Sequence, residues 1–173
     1  DAFHANTTWF RMRLCDGLEK YISAQPAYTD WHNNLKLSNN TPPSDYAGLW
    51  CIVGDEENGY KFYNRAWGPA YAMKTEGEEE GARTYMVPVV EASTYDIVQQ
   101  EGNYQFFVKV HGEGDNFLND RGGYLATWNT DAALGNSGSV MSFETVNMEG
   151  WEANTVVVEN ELKNLWAPWK NAN

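Results

Sequence analysis

Apolar residues recur at every second position in short runs along this chain. Phe10, Met12 and Leu14 do so in "FRMRL", and Trp50 and Ile52 in "LWCIV". A period of two puts one face of an extended segment on a core and the other in solvent, so these runs predict strands. Between runs stand "ENG" (57–59), "EGN" (101–103) and "RGG" (121–123), which read as tight turns. Aromatic residues are abundant, with 8 Trp, 10 Tyr and 7 Phe. Together with plentiful Gly and Asn, they favour an all-β chain of strands and turns.

The runs repeat. Tyr60-Lys61-Phe62-Tyr63 matches Tyr104-Gln105-Phe106-Phe107, and Phe10-Arg11-Met12-Arg13 stands in a weaker version of the same place. The spacings are about 50 and 44 residues. A second match follows each opening: "KYISA" (20–24), "AYAMK" (70–74) and "NFLND" (116–120). A third closes each unit: "LWCIV" (49–53), "TYDIV" (94–98) and "SFETV" (142–146). Three units emerge, 9–57, 58–101 and 102–147, preceded by an extension over 1–8. Opening, second, middle and closing runs give four strands per unit. One such unit cannot bury its own apolar face, but three can close a barrel and cap it with hairpins, removing exposed edges. The expectation is a β-trefoil with three four-stranded pseudo-repeats. Residues 148–173 form a tail outside the repeats. Leu162, Leu165, Trp166 and Trp169 fall there at helical spacing, with Asn160 placed to cap and Pro168 to end the helix. The tail is a short helical segment or a linker to a further domain.

The closing "W/Y/F-x-I/F-V" strands and the stretch "YLATWN" (Tyr124–Asn129) resemble the ricin-B-type β-trefoils attached to secreted bacterial carbohydrate-active proteins. The resemblance covers about residues 9–147 and departs at one point. Ricin-type units carry Gln-x-Trp in the closing strand, whereas Gly48, Ser93 and Met141 stand at the Gln position and only Trp50 keeps the Trp. In such lectins the resemblance implies a sugar site built within one unit from an Asp near the second strand, an aromatic beyond it and an Asn before the closing strand. The third unit offers Asp120, Trp128, Asn129 and Asn136, and the first offers Asp30, Trp31 and Asn33. The pairing has a physical basis: an aromatic face stacks on the C–H side of a sugar ring, and carboxylates or amides take its hydroxyls. The second unit places "EGEEEGA" (76–82) in this region and lacks an aromatic there until Tyr85, so it reads as non-binding. Trp67, beside Gly68-Pro69, reads as a cover on the barrel's open end.

Charge narrows the partners. With 12 basic and 24 acidic residues the net is −12, which disfavours nucleic acid, anionic membranes and sulfated chains. No apolar run approaches the ~20 residues that span a bilayer. His4, His32 and His111 show no metal-ligand spacing, and no calcium-loop pattern occurs. Cys15 and Cys51 leave a single disulfide and two buried thiols equally open. Nucleophile-elbow, zinc-protease, phosphate-loop and dinucleotide motifs are missing, so no cofactor and no catalysis are expected. The chain starts at Asp1 with neither Met nor a leader's apolar region, which suits a processed or excised module of a larger secreted or cell-surface protein. The sequence therefore points to a non-catalytic carbohydrate-binding module for neutral glycan, with an adjacent catalytic domain of the same polypeptide as a candidate partner. The alternatives are a spacer trefoil without ligand and, less favoured, a protease inhibitor presenting Ser38–Tyr46, where Pro42-Pro43 would stiffen the loop.

Overall fold

A computed structural model describes residues 9–14, 20–24, 34–39, 46–77, 79–99, 106–112, 116–129 and 137–146. Twelve strands follow one another: β1 Phe10–Leu14, β2 Lys20–Ala24, β3 Leu35–Asn39, β4 Trp50–Asp55, β5 Gly59–Asn64, β6 Tyr71–Thr75, β7 Thr84–Pro88, β8 Tyr95–Gln99, β9 Phe106–Val110, β10 Asn116–Asp120, β11 Leu125–Asn129 and β12 Met141–Thr145. Short 3-10 turns at Tyr46–Gly48, Val89–Glu91 and Ser137–Ser139 separate the last two strands of each set of four.

The pairing closes a ring. β1 pairs with β4, β4 with β5, β5 with β8, β8 with β9, β9 with β12, and β12 returns to β1, all antiparallel. The remaining strands form the hairpins β2–β3, β6–β7 and β10–β11. A six-stranded closed barrel with three hairpins is a β-trefoil, as expected from the repeats. The closed ring leaves no barrel strand with an unpaired edge. The expected helical tail (148–173) and the 1–8 extension lie outside the described residues.

Equivalent positions are fixed by the single bridges that join the first and fourth strand of each set: Phe10↔Trp50, Tyr60↔Tyr95 and Phe106↔Met141. In the third set the matching residues are therefore Phe106 and Met141, each two positions from the expected Tyr104 and Phe143. A slip of two keeps every side chain on its own face, so alternation alone cannot detect it. The same correction moves the third Gln-equivalent position from Met141 to Ser139.

The alternation of β1 is kept as read: Phe10, Met12 and Leu14 are buried and Arg11 and Arg13 are half-buried. One apolar cluster gathers residues from all three sets, among them Met12, Trp50, Phe62, Tyr95, Val108 and Leu118. Each such side chain contributes roughly 1.5–3 kcal/mol through burial. Trp50, the sole Trp kept from the Gln-x-Trp pattern, is fully buried, and its indole N–H donates to the Ile22 carbonyl at 2.9 Å. Tyr95 is its counterpart in the second set. Its phenol oxygen lies 2.8 Å from Thr75 Oγ1, which in turn lies 2.9 Å from Thr84 Oγ1. Cys51 is a buried free thiol, and burial pushes its thiol well above the usual range. Cys15 lies outside the described residues.

Side chains tie the hairpins to one another. Asn34, 2% exposed, donates from Nδ2 to the Met86 carbonyl (3.0 Å) and accepts the Met86 N–H (2.8 Å). Thr127, fully buried, does the equivalent between β11 and the segment before β7, as described below. In the β4–β5 hairpin Gly54 adopts φ +143°, and a Cβ there would lie 2.2 Å from the Gly59 carbonyl oxygen, so only glycine fits.

Candidate glycan-binding surface

β10 and β11 form an antiparallel hairpin with Phe117 opposite Trp128, Asn119 opposite Ala126 and Asp120 opposite Leu125. Side chains alternate across a strand, so Trp128 shares its face with Phe117 and Ala126, and Asp120 falls on the other face with Leu125. Phe117 and Leu118 are both buried, because the hairpin is packed on each side. Trp128 is half-buried. It is neither a core residue like Trp50 nor fully open to solvent.

Two arginines border the aromatic positions of this hairpin. The Arg121 guanidinium lies 5.4 Å from the centre of the Trp128 ring, and that of Arg83 lies 4.4 Å from the Tyr124 ring. Tyr124 is one of the exposed large side chains, at 37%. Arg121 also pairs with Glu80 at 3.2 Å. Such cation–aromatic contacts contribute about 0.5–1 kcal/mol at exposed sites and hold the rings in place.

Glu80 comes from the second set of strands. Its loop is fastened to β11 through Thr127, whose backbone N–H donates to the Ala82 carbonyl and whose carbonyl accepts the Gly81 N–H. The Thr127 hydroxyl accepts the Ala82 N–H at 3.0 Å and donates to the Glu79 carbonyl at 3.1 Å. A bridge between Arg83 and Ala126 extends the contact. The acidic run that reads as a feature of a non-binding unit is thus a wall of the third unit's surface. Sequence reasoning missed Glu80, Arg83, Arg121 and Tyr124. Only "YLATWN" pointed toward Tyr124; the others come from a different repeat or from the turn, and pairing alone brings them near.

The expected site residues are partly separated. Asp120 forms an ion pair with Lys20 of β2 and accepts the Gly123 N–H at 2.7 Å. It therefore joins the first and third sets and closes the β10–β11 turn, away from the Trp128 face. Asn129 ends β11. Asn136, Asp30, Trp31 and Asn33 lie outside the described residues, as does most of the Ser38–Tyr46 loop. Trp67 packs against the main apolar cluster, with its ring 5.0 Å edge-on from Tyr71, in keeping with a covering role. Among the described residues no group of three or more His, Cys, Asp or Glu could hold a metal ion. No helix among them is long and apolar enough to cross a membrane.

Neither a protein-family model nor a curated protein matches the sequence. Solved structures do. The exo-β-1,3-galactanase 1,3Gal43A from Clostridium thermocellum superposes with a TM-score of 0.62 at 16% identity, over 82% of this chain and 31% of its own. The BEL β-trefoil gives 0.59 at 12% identity, over 82% of this chain and 95% of its own. The designed three-fold symmetric protein ThreeFoil gives 0.60 at 12%, over 80% and 98%. The shared property is the trefoil fold. This chain spans about a third of the galactanase and nearly the whole of the other two.

Proposed function

We propose that the chain is a non-catalytic carbohydrate-binding module that holds neutral glycan on the β10–β11 hairpin. The observation that supports this reading is the half-buried Trp128, steadied by Arg121, on a hairpin whose turn end exposes Tyr124. A sugar ring would stack on the open part of the indole, and Glu80 and Arg121 would meet its hydroxyls as acceptor and donor. Asn129 and Asn136 remain candidates for the rim of this surface, and Asp30, Trp31 and Asn33 for a second one in the first unit. Asp120 takes a supporting role, because its carboxylate is engaged by Lys20. The similarity to a part of a galactanase chain supports a module linked to a catalytic domain in a secreted or cell-surface protein. A divergent ricin-B-type origin fits the closing strands of the first two units, which read Trp50-Cys51-Ile52-Val53 and Tyr95-Asp96-Ile97-Val98.

The spacer reading has one observation in its favour: the aspartate that a lectin site would use is tied into the scaffold. A glycan-array screen of the unmodified chain beside Trp128→Ala separates the two. Binding to neutral glycans that disappears in the variant is the expected result. Binding that survives the substitution removes the hairpin from the account, and binding by neither protein favours the spacer.

A further inference from the structure

A cavity lies elsewhere on the barrel and shares no residue with the Trp128 surface. β5 meets β8 at one register pair, Tyr60↔Tyr95, and β8 then runs on past the start of β5 beside the turn at 56–58. The gap is an open cavity of about 350 Å³ lined by Glu56, Tyr60, Asp96, Ile97, Val98 and His111. Its volume falls in the range of small-ligand sites, roughly 300–1,000 Å³.

The wall is organised. The carboxylate of Asp96 stands 2.6 Å from His111 Nδ1, and its second oxygen accepts the Gly112 N–H at 3.4 Å. Lys109, directly opposite Asp96 in the β8–β9 register, reaches the same carboxylate at 3.5 Å and also donates to the Gly112 carbonyl. His111 is seated from behind as well: its backbone N–H donates to the Thr94 carbonyl at 2.9 Å, and a Cβ on Gly59 would lie 2.9 Å from its Cγ. An ionised carboxylate has no proton to give, so the proton between the two groups is carried on His111 Nδ1, which leaves Nε2 as the ring's second polar atom. Glu56 adds an acceptor. Tyr60, 3% exposed, offers a phenol whose pKa is raised by burial and then by Glu56, Asp55 and Asp96 around it, so it keeps its proton. Ile97 and Val98 supply aliphatic surface.

We infer that this cavity is a binding site for a small cyclic polyol, such as a single sugar residue. The ligand's hydroxyls hydrogen-bond with His111 Nε2 and donate to Glu56, and its C–H face lies on Ile97, Val98 and the Tyr60 ring. The site is independent of the Trp128 hairpin. Asp96 is a positioning residue that fixes the imidazole tautomer and seats the ring. All three repeats contribute to the cavity: Glu56 from the end of the first, Tyr60, Asp96, Ile97 and Val98 from the second, and His111 from the third.

The test is a titration of the ¹⁵N-labelled full chain with D-galactose, D-glucose and N-acetyl-D-glucosamine, followed by amide shifts. At least one sugar should shift the amides of residues 60, 96, 111 and 112 saturably, and these shifts should persist in Trp128→Ala. His111→Phe should weaken that binding about tenfold, the value of a lost hydrogen bond of roughly 1–1.5 kcal/mol. Glu56→Gln, at an exposed turn position, should weaken it a few-fold without disturbing the fold, and decides the matter if His111→Phe does not fold. No saturable shift at these residues, or binding unchanged by both substitutions, overturns the inference. Shifts confined to the Trp128 hairpin overturn it while leaving the proposed function standing. Shifts here with none at the hairpin, in a chain that also binds no array glycan through Trp128, sink the proposed function instead.

Discussion

Asn34→Ala should lower the stability of the whole trefoil by about 2–4 kcal/mol. Asn34 is 2% exposed and spends both ends of its amide on the backbone of Met86, which is itself 3% exposed. Alanine removes the acceptor for the Met86 N–H and the donor for its carbonyl at once. An unsatisfied buried backbone group costs about 1–3 kcal/mol, and two of them, with some relief from entering water, give the stated sum. Domains of this size have about 5–15 kcal/mol in total, so the loss is a large fraction. The corresponding fall in melting temperature is on the order of 10 °C. Urea unfolding followed by tryptophan fluorescence reads the change as a lower midpoint at unchanged slope. Asn34→Asp is the informative companion: it keeps an acceptor for the N–H but cannot donate to the carbonyl, and it buries a charge, so it should be at least as harmful. A loss below about 0.5 kcal/mol for Asn34→Ala would show that the hairpins do not depend on this bridge, and that the reasoning about orphaned backbone groups fails here.

Gly54→Ala should abolish the β4–β5 hairpin, because the new Cβ would meet the Gly59 carbonyl at 2.2 Å on a backbone with φ +143°; expression of soluble, folded chain with a wild-type near-ultraviolet spectrum would contradict it. Lys20→Met should cost stability more than an exposed ion pair does, about 1–3 kcal/mol, because it removes the cation beside the largely covered Asp120 carboxylate, and Asp120→Asn in the same background should recover part of the loss in denaturant titrations. Alkaline pH should unfold the chain. Burial raises the Tyr95 phenol and the Cys51 thiol far above their usual values, so the folded state holds these protons more tightly than the unfolded state. Their contribution is fully present below the unfolded values of about 8.5 for Cys and 10 for Tyr, and it is lost as pH climbs above them, by up to ~1.4 kcal/mol per pH unit per group. Chemical unfolding midpoints measured from pH 8 to 11 should therefore fall, together with a cooperative rise in phenolate absorbance; flat midpoints would refute it.

The trefoil was legible because its logic is local alternation repeated three times. Phe10, Met12 and Leu14 show their faces in the sequence, and "ENG" and "RGG" fall at the turns between β4 and β5 and between β10 and β11. The two-residue slip in the third set was hidden because positions two apart in an extended run share a face, as Met141 and Phe143 do, and only pairing across the barrel distinguishes them. The site was legible at Trp128 and no further. Asp120 is only eight positions along the chain, yet the register turns it to the other face, where Lys20, about 100 residues away, claims it. Glu80 and Arg83 reach the surface from the neighbouring repeat through Thr127. The Asp96–His111 pair likewise arises from β8–β9 pairing, which no spacing rule announces.

The central claim is that glycan sits on the β10–β11 hairpin, and its most direct test is a crystal structure of the chain with a neutral oligosaccharide selected on the array. The account predicts one sugar ring stacked on the Trp128 indole, with Glu80 and Arg121 within hydrogen-bonding distance of its hydroxyls. An oligosaccharide bound with Trp128 uncovered, and with its rings held by other residues, would contradict it.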